Sequence, residues 1–451
     1  MKHLESTSLD ALRAALLHLD AGFSALPGFE SAAPSLSGVQ SVLLEAAERL
    51  RKNYPYFHPL YAGQMLKPPH PVARAAYALA TWINPNNHAL DGGRASSVME
   101  REAVAQIAAT FGWHEFLGHL TGGGTVANLE ALWVAGRLKP GKTILASADS
   151  HYTHKRISAV LGLPFEALPT SREDGRIDIA ALEQRAAIGD IGCVVATLGT
   201  TGTGAVDPLP EILRLRERFR FRVHVDGAYG GYFGLADNLT PAARAAFDCI
   251  GSADSVVIDP HKHGLQPYGC GCVLFADPSV AALYRHDSPY TYFTSKDLHL
   301  GEVSLECSRP GASAVALWAT QRLLPLVRGG EFAADLSSSR SAALELTRRL
   351  SEHPRWLVPF PPALDIVVWA PRAGSAAEAS AMSQKIFDRA AANDLHLALI
   401  RLPARYFEPG TFGQPEETGE GSVLCLRSVL MKPEHAAWVG EIFDRLMASS
   451  D

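Results

Sequence analysis

The stretch Ser255-Val256-Val257-Ile258-Asp259-Pro260-His261-Lys262-His263-Gly264 decides how the rest of the chain is interpreted. Its four apolar or small residues predict a short buried strand, and a lysine flanked by two histidines follows directly. A buried lysine loses part of its preference for the charged form and becomes a better amine nucleophile. We therefore take Lys262 as a candidate for covalent chemistry through its amine, and a solvated loop lysine is the alternative.

A second strand, earlier in the chain, ends in a carboxylate within Val223-His224-Val225-Asp226-Gly227-Ala228-Tyr229. Burying a carboxylate is costly unless it has a cationic or hydrogen-bonding partner. Asp226 is therefore either the ion-pair partner of a protonated ring nitrogen or the cap of a following helix or loop.

Three glycines precede a predicted helix in Thr121-Gly122-Gly123-Gly124-Thr125. Consecutive glycines let a phosphate approach backbone N–H groups, and a helix N-terminus adds a favourable partial charge. A tight turn is the alternative for this segment alone. The order of glycine loop, aspartate and lysine favours one joint site.

Residues 136–143 also match the phosphate-loop pattern G-x4-G-K-[ST] literally. The mechanism of that motif requires a strand before the loop and a helix after it. Here a helical pattern precedes the loop and an apolar strand pattern follows, so the helix dipole points the wrong way for phosphate. We interpret the segment as a turn from helix to strand.

Between residues 72 and 280 the pattern alternates between short apolar strands and helices, which favours a mainly parallel sheet covered on both faces. Predicted strands are 143–148, 192–198, 222–226, 255–258 and 271–275, and predicted helices are 125–137, 153–162, 178–187 and 208–219. A long helical pattern over 312–353 leads to a smaller α+β region, with strands at 364–370, 395–400 and 423–428 and helices at 376–392 and 432–447. Helices at 8–20 and 40–52 and a Pro-rich segment, Tyr54 to Pro71, begin the chain.

Composition excludes several classes of protein. The 451 residues are 47% hydrophobic with a net charge of -6, which is unlike the basic footprint of a nucleic-acid binder. Six scattered cysteines predict no metal site and a reducing, cytoplasmic setting. Neither an apolar signal segment nor a run of 18 apolar residues is present, so we expect no membrane association.

With these segments identified, the sequence resembles the pyridoxal-phosphate (PLP) dependent group II amino-acid decarboxylases. The similar stretches are Asp259–Lys262, Val225–Ala228, Asp149–His151 and Ala196–Thr201. The resemblance implies an α/β protein of PLP fold type I, like aspartate aminotransferase, with a mainly parallel seven-stranded sheet in the large domain. It also implies an N-terminal dimerisation segment (1–71), a large PLP-binding domain (72–311) and a long helix with a small α+β domain (312–451).

The resemblance further implies roles for individual residues. Lys262 would carry PLP, Asp226 would pair with the ring nitrogen and His151 would cover one ring face. Other cofactor contacts would be Gly123, Gly124, Thr125, Thr200, Ala228 and His261. Tyr290 or Tyr292, on a loop after the lysine, would return a proton to the substrate, and we favour Tyr292.

Substrate contacts are less defined by the sequence. The aromatic cluster Tyr56, Phe57, His58 and Tyr61 is either a pocket wall or core, and Arg427 either binds a carboxylate or pairs with a surface acid. The substrate class stays open between aromatic and acidic L-amino acids. The resemblance implies a homodimer with shared active sites, across whose interface the N-terminal helices pack.

Three other functions compete with decarboxylation. Ser308-Arg309-Pro310-Gly311 is similar to PLP carbon–carbon lyases acting on phosphorylated amino alcohols. An aminotransferase or aldehyde-forming enzyme would release keto acid or aldehyde instead of amine. A non-catalytic binding protein on the same fold is disfavoured, because a dead site has no physical need for a buried lysine.

Overall fold

The structure is a computed structural model that describes residues 6–29, 35–285, 299–412 and 421–450. The expected proton donors Tyr290 and Tyr292 lie outside the described residues. Within the described part of the chain, no helix is both long and apolar enough to cross a membrane.

The N-terminal region consists of helices joined by an irregular segment. Its helices are α1 (Thr7–Ala21), α2 (Leu36–Leu50), α3 (Pro71–Thr81) and α4 (Arg94–Thr110). The segment from Tyr54 to Pro71 was predicted to contain no regular helix, and residues 54–70 contain none, since its prolines remove backbone donors. Pro71 is the first residue of α3, a position that proline tolerates. Helix α1 packs beside α3, whereas no side chain of α2, which is described in full, is buried.

A large twisted sheet forms the centre of the molecule, with seven strands among the described residues. They are β1 (Leu117–Thr121), β2 (Thr143–Ser147), β3 (Phe165–Leu168), β4 (Ile191–Thr197), β5 (Arg222–Asp226), β6 (Ser255–Ile258) and β7 (Gly271–Phe275), in the order β1-β7-β6-β5-β4-β2-β3. Among the described strands of this sheet, β7 runs opposite to the other six. The prediction of a mainly parallel sheet is confirmed, although β1 and β3 were not recognised individually.

Helices connect these strands and cover the sheet. They are α5 (Gly124–Leu138), α6 (Thr153–Val160), α7 (Ile179–Ile188), α8 (Leu209–Phe219), α9 (Pro241–Asp248) and α10 (Ala281–Tyr284). The turn at Gly141 lies between α5 and β2, so the interpretation as a helix-to-strand turn is confirmed. Because β1, β2, β4, β5 and β6 run in one direction, their carboxyl ends meet at one edge of the sheet.

A second, antiparallel sheet follows in the last third of the chain. The elements here are α11 (Gly311–Leu323), α12 (Glu331–Glu352), β8 (Trp356–Leu357), β9 (Ile366–Pro371), α13 (Ala376–Ala392), β10 (Ala398–Pro403), β11 (Ser422–Val429) and α14 (His435–Ser450). Its strands are ordered β10-β11-β9-β8, and α13 and α14 pack together beside it. The predicted smaller α+β region is therefore present.

The prediction of one helical stretch over 312–353 is wrong in its middle. Helix α11 ends at Leu323 and α12 begins at Glu331. Pro325 cannot donate a backbone hydrogen bond, and Gly329 has a φ of 76°, which a right-handed helix does not accept. Leucines on both sides of this break kept the helical spacing in the sequence.

Candidate active site

The glycine loop lies between the end of β1 and the start of α5. Gly123 has a φ of 141°, a conformation that side chains rarely adopt. A Cβ on Gly124 would lie 2.5 Å from Asp259 Oδ2, so the backbone and this carboxylate are in close contact. The first turn of α5 leaves backbone N–H groups without helical acceptors, and these form a cradle for an anion.

Lys262 lies in the turn after β6, directly below this cradle. Its Nζ is 3.0 Å from Asp259 Oδ2, and its side chain is 20% exposed. Asp259 itself is buried, and its Oδ1 is without a hydrogen-bond partner among the described residues. The amine is thus held by a buried acid yet open to the cavity.

Asp226 is the last residue of β5, and it is 5% exposed. Its Oδ1 accepts the Ala228 N–H at 3.1 Å, and its Oδ2 lies 2.8 Å from Nε2 of His154. Burial alone would raise the pKa of Asp226, but His154, with Lys262 and His224, holds that pKa below its usual value. The carboxylate is therefore ionised at neutral pH.

Two further histidines border the cavity. His151, after β2, is half-buried, and its Nδ1 lies 2.7 Å from Thr153 Oγ1. His261 accepts the Cys270 N–H at Nδ1 and lies 3.5 Å from Asp259 through Nε2. Burial lowers the pKa of both imidazoles, which keeps them neutral near pH 7.

These groups surround one cavity of about 370 Å³ at the carboxyl edge of the sheet. Of the residues expected to contact the cofactor, the structure brings the following to its wall: Gly123, Gly124, Thr125, His151, Asp226, Ala228, His261 and Lys262. The buried Thr197 Oγ1 in the same wall has no partner among the described residues. An anion cradle, an amine and a buried carboxylate around one space fit a phosphate-bearing aromatic aldehyde.

Thr200 does not line this cavity. Its buried hydroxyl accepts the Ala205 N–H at 3.0 Å and contacts Thr203, within the turn after β4. The neighbours Thr197, Gly199 and Thr201 reach the wall instead.

The aromatic residues proposed for substrate binding are not brought to the cavity wall of this chain. Phe57 and His58 line a separate open groove against Trp438 of α14. Tyr56 and Tyr61 are stacked edge to face at 4.9 Å in a cluster with Tyr54.

Arg427 of β11 is buried, and it donates to backbone carbonyls of Gly202 and Thr201 at 2.9 and 2.6 Å and of Gly63 at 3.3 Å. These hydrogen bonds connect β11 to the turn after β4. The guanidinium therefore has a structural role in the described part of this chain, in contact with neither of the two expected partners, a substrate carboxylate or a surface acid.

Sequence reasoning assigned no role to three residues that the structure brings to the site. They are Asp259, His154 and Thr197. Asp259 was visible in the lysine segment. His154 lies three residues after His151, and that spacing on a helix start would have indicated a shared face.

Comparison with known proteins agrees with a site for a phosphate-bearing aromatic aldehyde. Residues 133–368 match the profile described as "Pyridoxal-dependent decarboxylase conserved domain". The chain belongs to this family. The pyridoxal-dependent decarboxylases use the cofactor that the cavity fits, so this protein is a PLP-dependent amino-acid decarboxylase, a carboxy-lyase.

Two relatives illustrate the range of the family. An L-tyrosine decarboxylase of Enterococcus faecium is 27% identical, over 87% of this chain and 85% of its own. An aspartate 1-decarboxylase of Aliivibrio fischeri is 34% identical, over 43% of this chain and 40% of its own.

Solved structures share the fold. Mouse CSAD in its apo form superimposes with a TM-score of 0.78 at 19% identity, covering 99% of this chain and all of that one. The Oryza sativa TDC structure with PLP and tryptamine gives 0.77 at 16% identity, over 99% of each chain. The expectation of PLP fold type I is therefore confirmed.

Proposed function

We propose that Lys262, Asp226 and His151 carry the decarboxylation of an L-amino acid to its amine and CO2. The observation that carries this assignment is their convergence on one cavity beside the glycine cradle. When bound, PLP supplies a sink for the electron pair that CO2 leaves on Cα.

The residues of the chain divide the work around the cofactor. Lys262 would hold it through its amine, the glycine cradle with Thr125 would bind its phosphate, and Asp226 would accept a hydrogen bond from its ring nitrogen. The negative charge of Asp226 would keep that nitrogen protonated, which would favour the acceptance of electron density by the cofactor. His151, being neutral, can lie against the ring face without adding charge.

The proton that replaces CO2 would come from Tyr292 or Tyr290 acting as general acid, and both residues lie outside the described part of the chain. The substrate class we propose is an aromatic or an acidic L-amino acid. Relatives named for L-tyrosine and for aspartate support keeping both classes.

We also infer a homodimer with shared active sites, because α2 buries none of its apolar side chains against the part of the chain that the structure describes. The exposed apolar side chains of α2 include Leu36, Val39, Val42, Leu43 and Leu44. Sedimentation should show a dimer for the wild type and a shift toward monomer for Leu43→Glu. Ile188→Glu, at an exposed apolar position on α7, should stay dimeric, and a monomeric wild type would contradict the inference.

A reducing, cytoplasmic setting is inferred from the thiols. The six cysteines are free, and Cys193, Cys270, Cys272 and Cys425 are buried in the core. Cell fractionation would test this inference.

Borohydride reduction followed by peptide mass analysis tests the cofactor assignment. A pyridoxyl mass on the Lys262 peptide is expected, with bleaching of the visible absorbance. An adduct elsewhere, or none, would overturn it. A screen of amino acids should then give CO2 and amine in equal amounts, whereas keto acid without CO2 would indicate transamination.

A further inference from the structure

The carboxylate of Asp226 is held from two sides within the protein itself. Nε2 of His154, the second residue of α6, lies 2.8 Å from Oδ2, while the Ala228 N–H donates to Oδ1. The His154 side chain is 0% exposed and that of Asp226 is 6% exposed. Each carboxylate oxygen accepts more than one hydrogen bond, so Asp226 can still accept a ring N–H.

The contact defines which nitrogen of His154 carries a proton. An ionised carboxylate only accepts, so Nε2 of His154 is the donor. The buried Nδ1 has no hydrogen-bond partner among the described residues. A proton on Nδ1 would be a buried donor without an acceptor, which is unfavourable.

The other charged or titratable groups that face Asp226 are His151, His224 and Lys262. His224 lies 2.8 Å from both Asn128 Oδ1 and Ser255 Oγ through its two ring nitrogens, and burial lowers its pKa to about 3. Lys262 stops being a free cation once its nitrogen is committed to the cofactor. His151 lines the cavity, where its proposed place is against the ring face. His154 is therefore the side chain that can keep donating to Asp226 throughout the reaction.

We propose that His154 is a positioning residue for PLP, which orients the Asp226 carboxylate toward the ring nitrogen and keeps it ionised by donating Nε2–H. The inference rests on the proposed role of Asp226. It gives a function to a buried histidine that does not line the cavity and reaches the site through Asp226.

His154→Leu and His154→Gln separate this role from simple packing. Leucine fills the space without a donor, and the glutamine amide restores one. Affinity for PLP is measured by titrating the apo-protein, and the visible absorbance of the loaded protein is followed from pH 5 to 9.

We expect His154→Leu to bind PLP about tenfold or more weakly, the range of a lost hydrogen bond to a charged group, and to show a pH-dependent visible band absent from the wild type. His154→Gln should recover most of the affinity. The exposed His114→Gln is the control and should match the wild type.

The proposal would be overturned if His154→Leu had the PLP affinity and pH behaviour of the wild type. An equal loss of PLP affinity in His154→Leu and His154→Gln would also overturn it. If the leucine variant does not fold, nitrogen-15 histidine NMR of the apo wild type still decides, with His154→Gln to assign the signal. Protonation at Nδ1 instead of Nε2 would overturn the proposal.

A double-mutant cycle shows whether a negative result refutes the role of His154 or the proposed role of Asp226. Asp226→Asn should weaken PLP binding by itself, and His154→Leu should add little in that background, because both act on the same contact. If Asp226→Asn binds PLP like the wild type, the proposed function fails first. If Asp226→Asn is impaired and His154→Leu adds its full effect, only the His154 proposal fails.

Discussion

The amine of Lys262 and the carboxylate of Asp259, three residues apart, are joined by a 3.0 Å ion pair beneath the glycine cradle. Asp259 Oδ2 also lies in contact with Gly124, as the close approach of a hypothetical Cβ there demonstrates. The proposed cofactor lysine, the acid paired with it and the glycine loop are therefore in direct contact with one another. A substitution at any one of these three positions should therefore alter the positions of the other two.

Asp259→Asn should lower the unfolding free energy of the apo-protein by about 1–3 kcal/mol, because the largely buried amine of Lys262 loses its anionic partner. Chemical denaturation measures this change. In a cycle with Lys262→Met, the two substitutions should be non-additive. Additive effects would mean that the ion pair contributes nothing specific.

Gly124→Ala should reduce PLP affinity by about tenfold or more, since its methyl group would displace the Asp259 carboxylate and narrow the cradle. Titration of the apo-protein with PLP provides the measurement. Gly28→Ala, where a Cβ meets no atom within 4 Å, is the matched control. Unchanged affinity in Gly124→Ala would argue against phosphate binding at this turn.

Tyr292→Phe should slow amine release and increase aldehyde by-product, because protonation of the substrate Cα would become slower without the tyrosine hydroxyl. Product analysis by chromatography, with CO2 measured in parallel, provides the readout. Tyr290→Phe is the comparison. If Tyr290→Phe produces this change and Tyr292→Phe does not, the assignment is reversed.

Lys432 should make stability depend on pH in the alkaline range. Burial, and then the neighbouring Lys67, lower the pKa of Lys432 to about 7, whereas a lysine in the unfolded chain titrates near 10.4. Between these values the unfolded chain binds more protons, so the unfolding free energy rises with pH. The expected contribution is about 1 kcal/mol per pH unit between pH 8 and 10.

Denaturant unfolding of Lys432→Met at several pH values tests this sign. The variant should have a shallower rise than the wild type, whatever its absolute stability. Lys385→Met, at an exposed position on α13, should keep the wild-type slope. An unchanged slope in Lys432→Met would refute the prediction.

Much of the fold could be predicted because its strands are apolar runs separated by amphipathic helices. Strand β1 was missed because Gly118 and His119 interrupt its apolar run, and its strand conformation depends on pairing with β7, which is distant in the chain. The break between α11 and α12 was missed because leucine spacing continues through Pro325. The local sequence pattern indicates which residues are buried. Whether a short segment forms a strand depends also on the neighbouring strand with which it pairs.

The site shows the same division. Eight of the nine expected cofactor residues reach the cavity wall because they lie at the ends of strands whose direction the α/β alternation sets. Thr200 does not, since a single turn directs its hydroxyl into the protein while Thr201 lines the wall. The sequence alone does not show which of two adjacent residues, Thr200 or Thr201, directs its side chain toward the cavity.

Residue types and their order along the chain predicted the chemical groups of the site: an amine at 262, an acid at 226 and a glycine turn at 122–124, all near the edge of a parallel sheet. The groups that contact them became visible in the folded chain. Asp259 holds Lys262, and His154 holds Asp226, across 72 residues of chain. The His154–Asp226 contact is set by packing between elements distant in the chain, and the free energy of such packing is not encoded in local pattern. Asp259 and Lys262 are neighbours in sequence, and the fold decides only that their ion pair is largely buried beside the glycine loop.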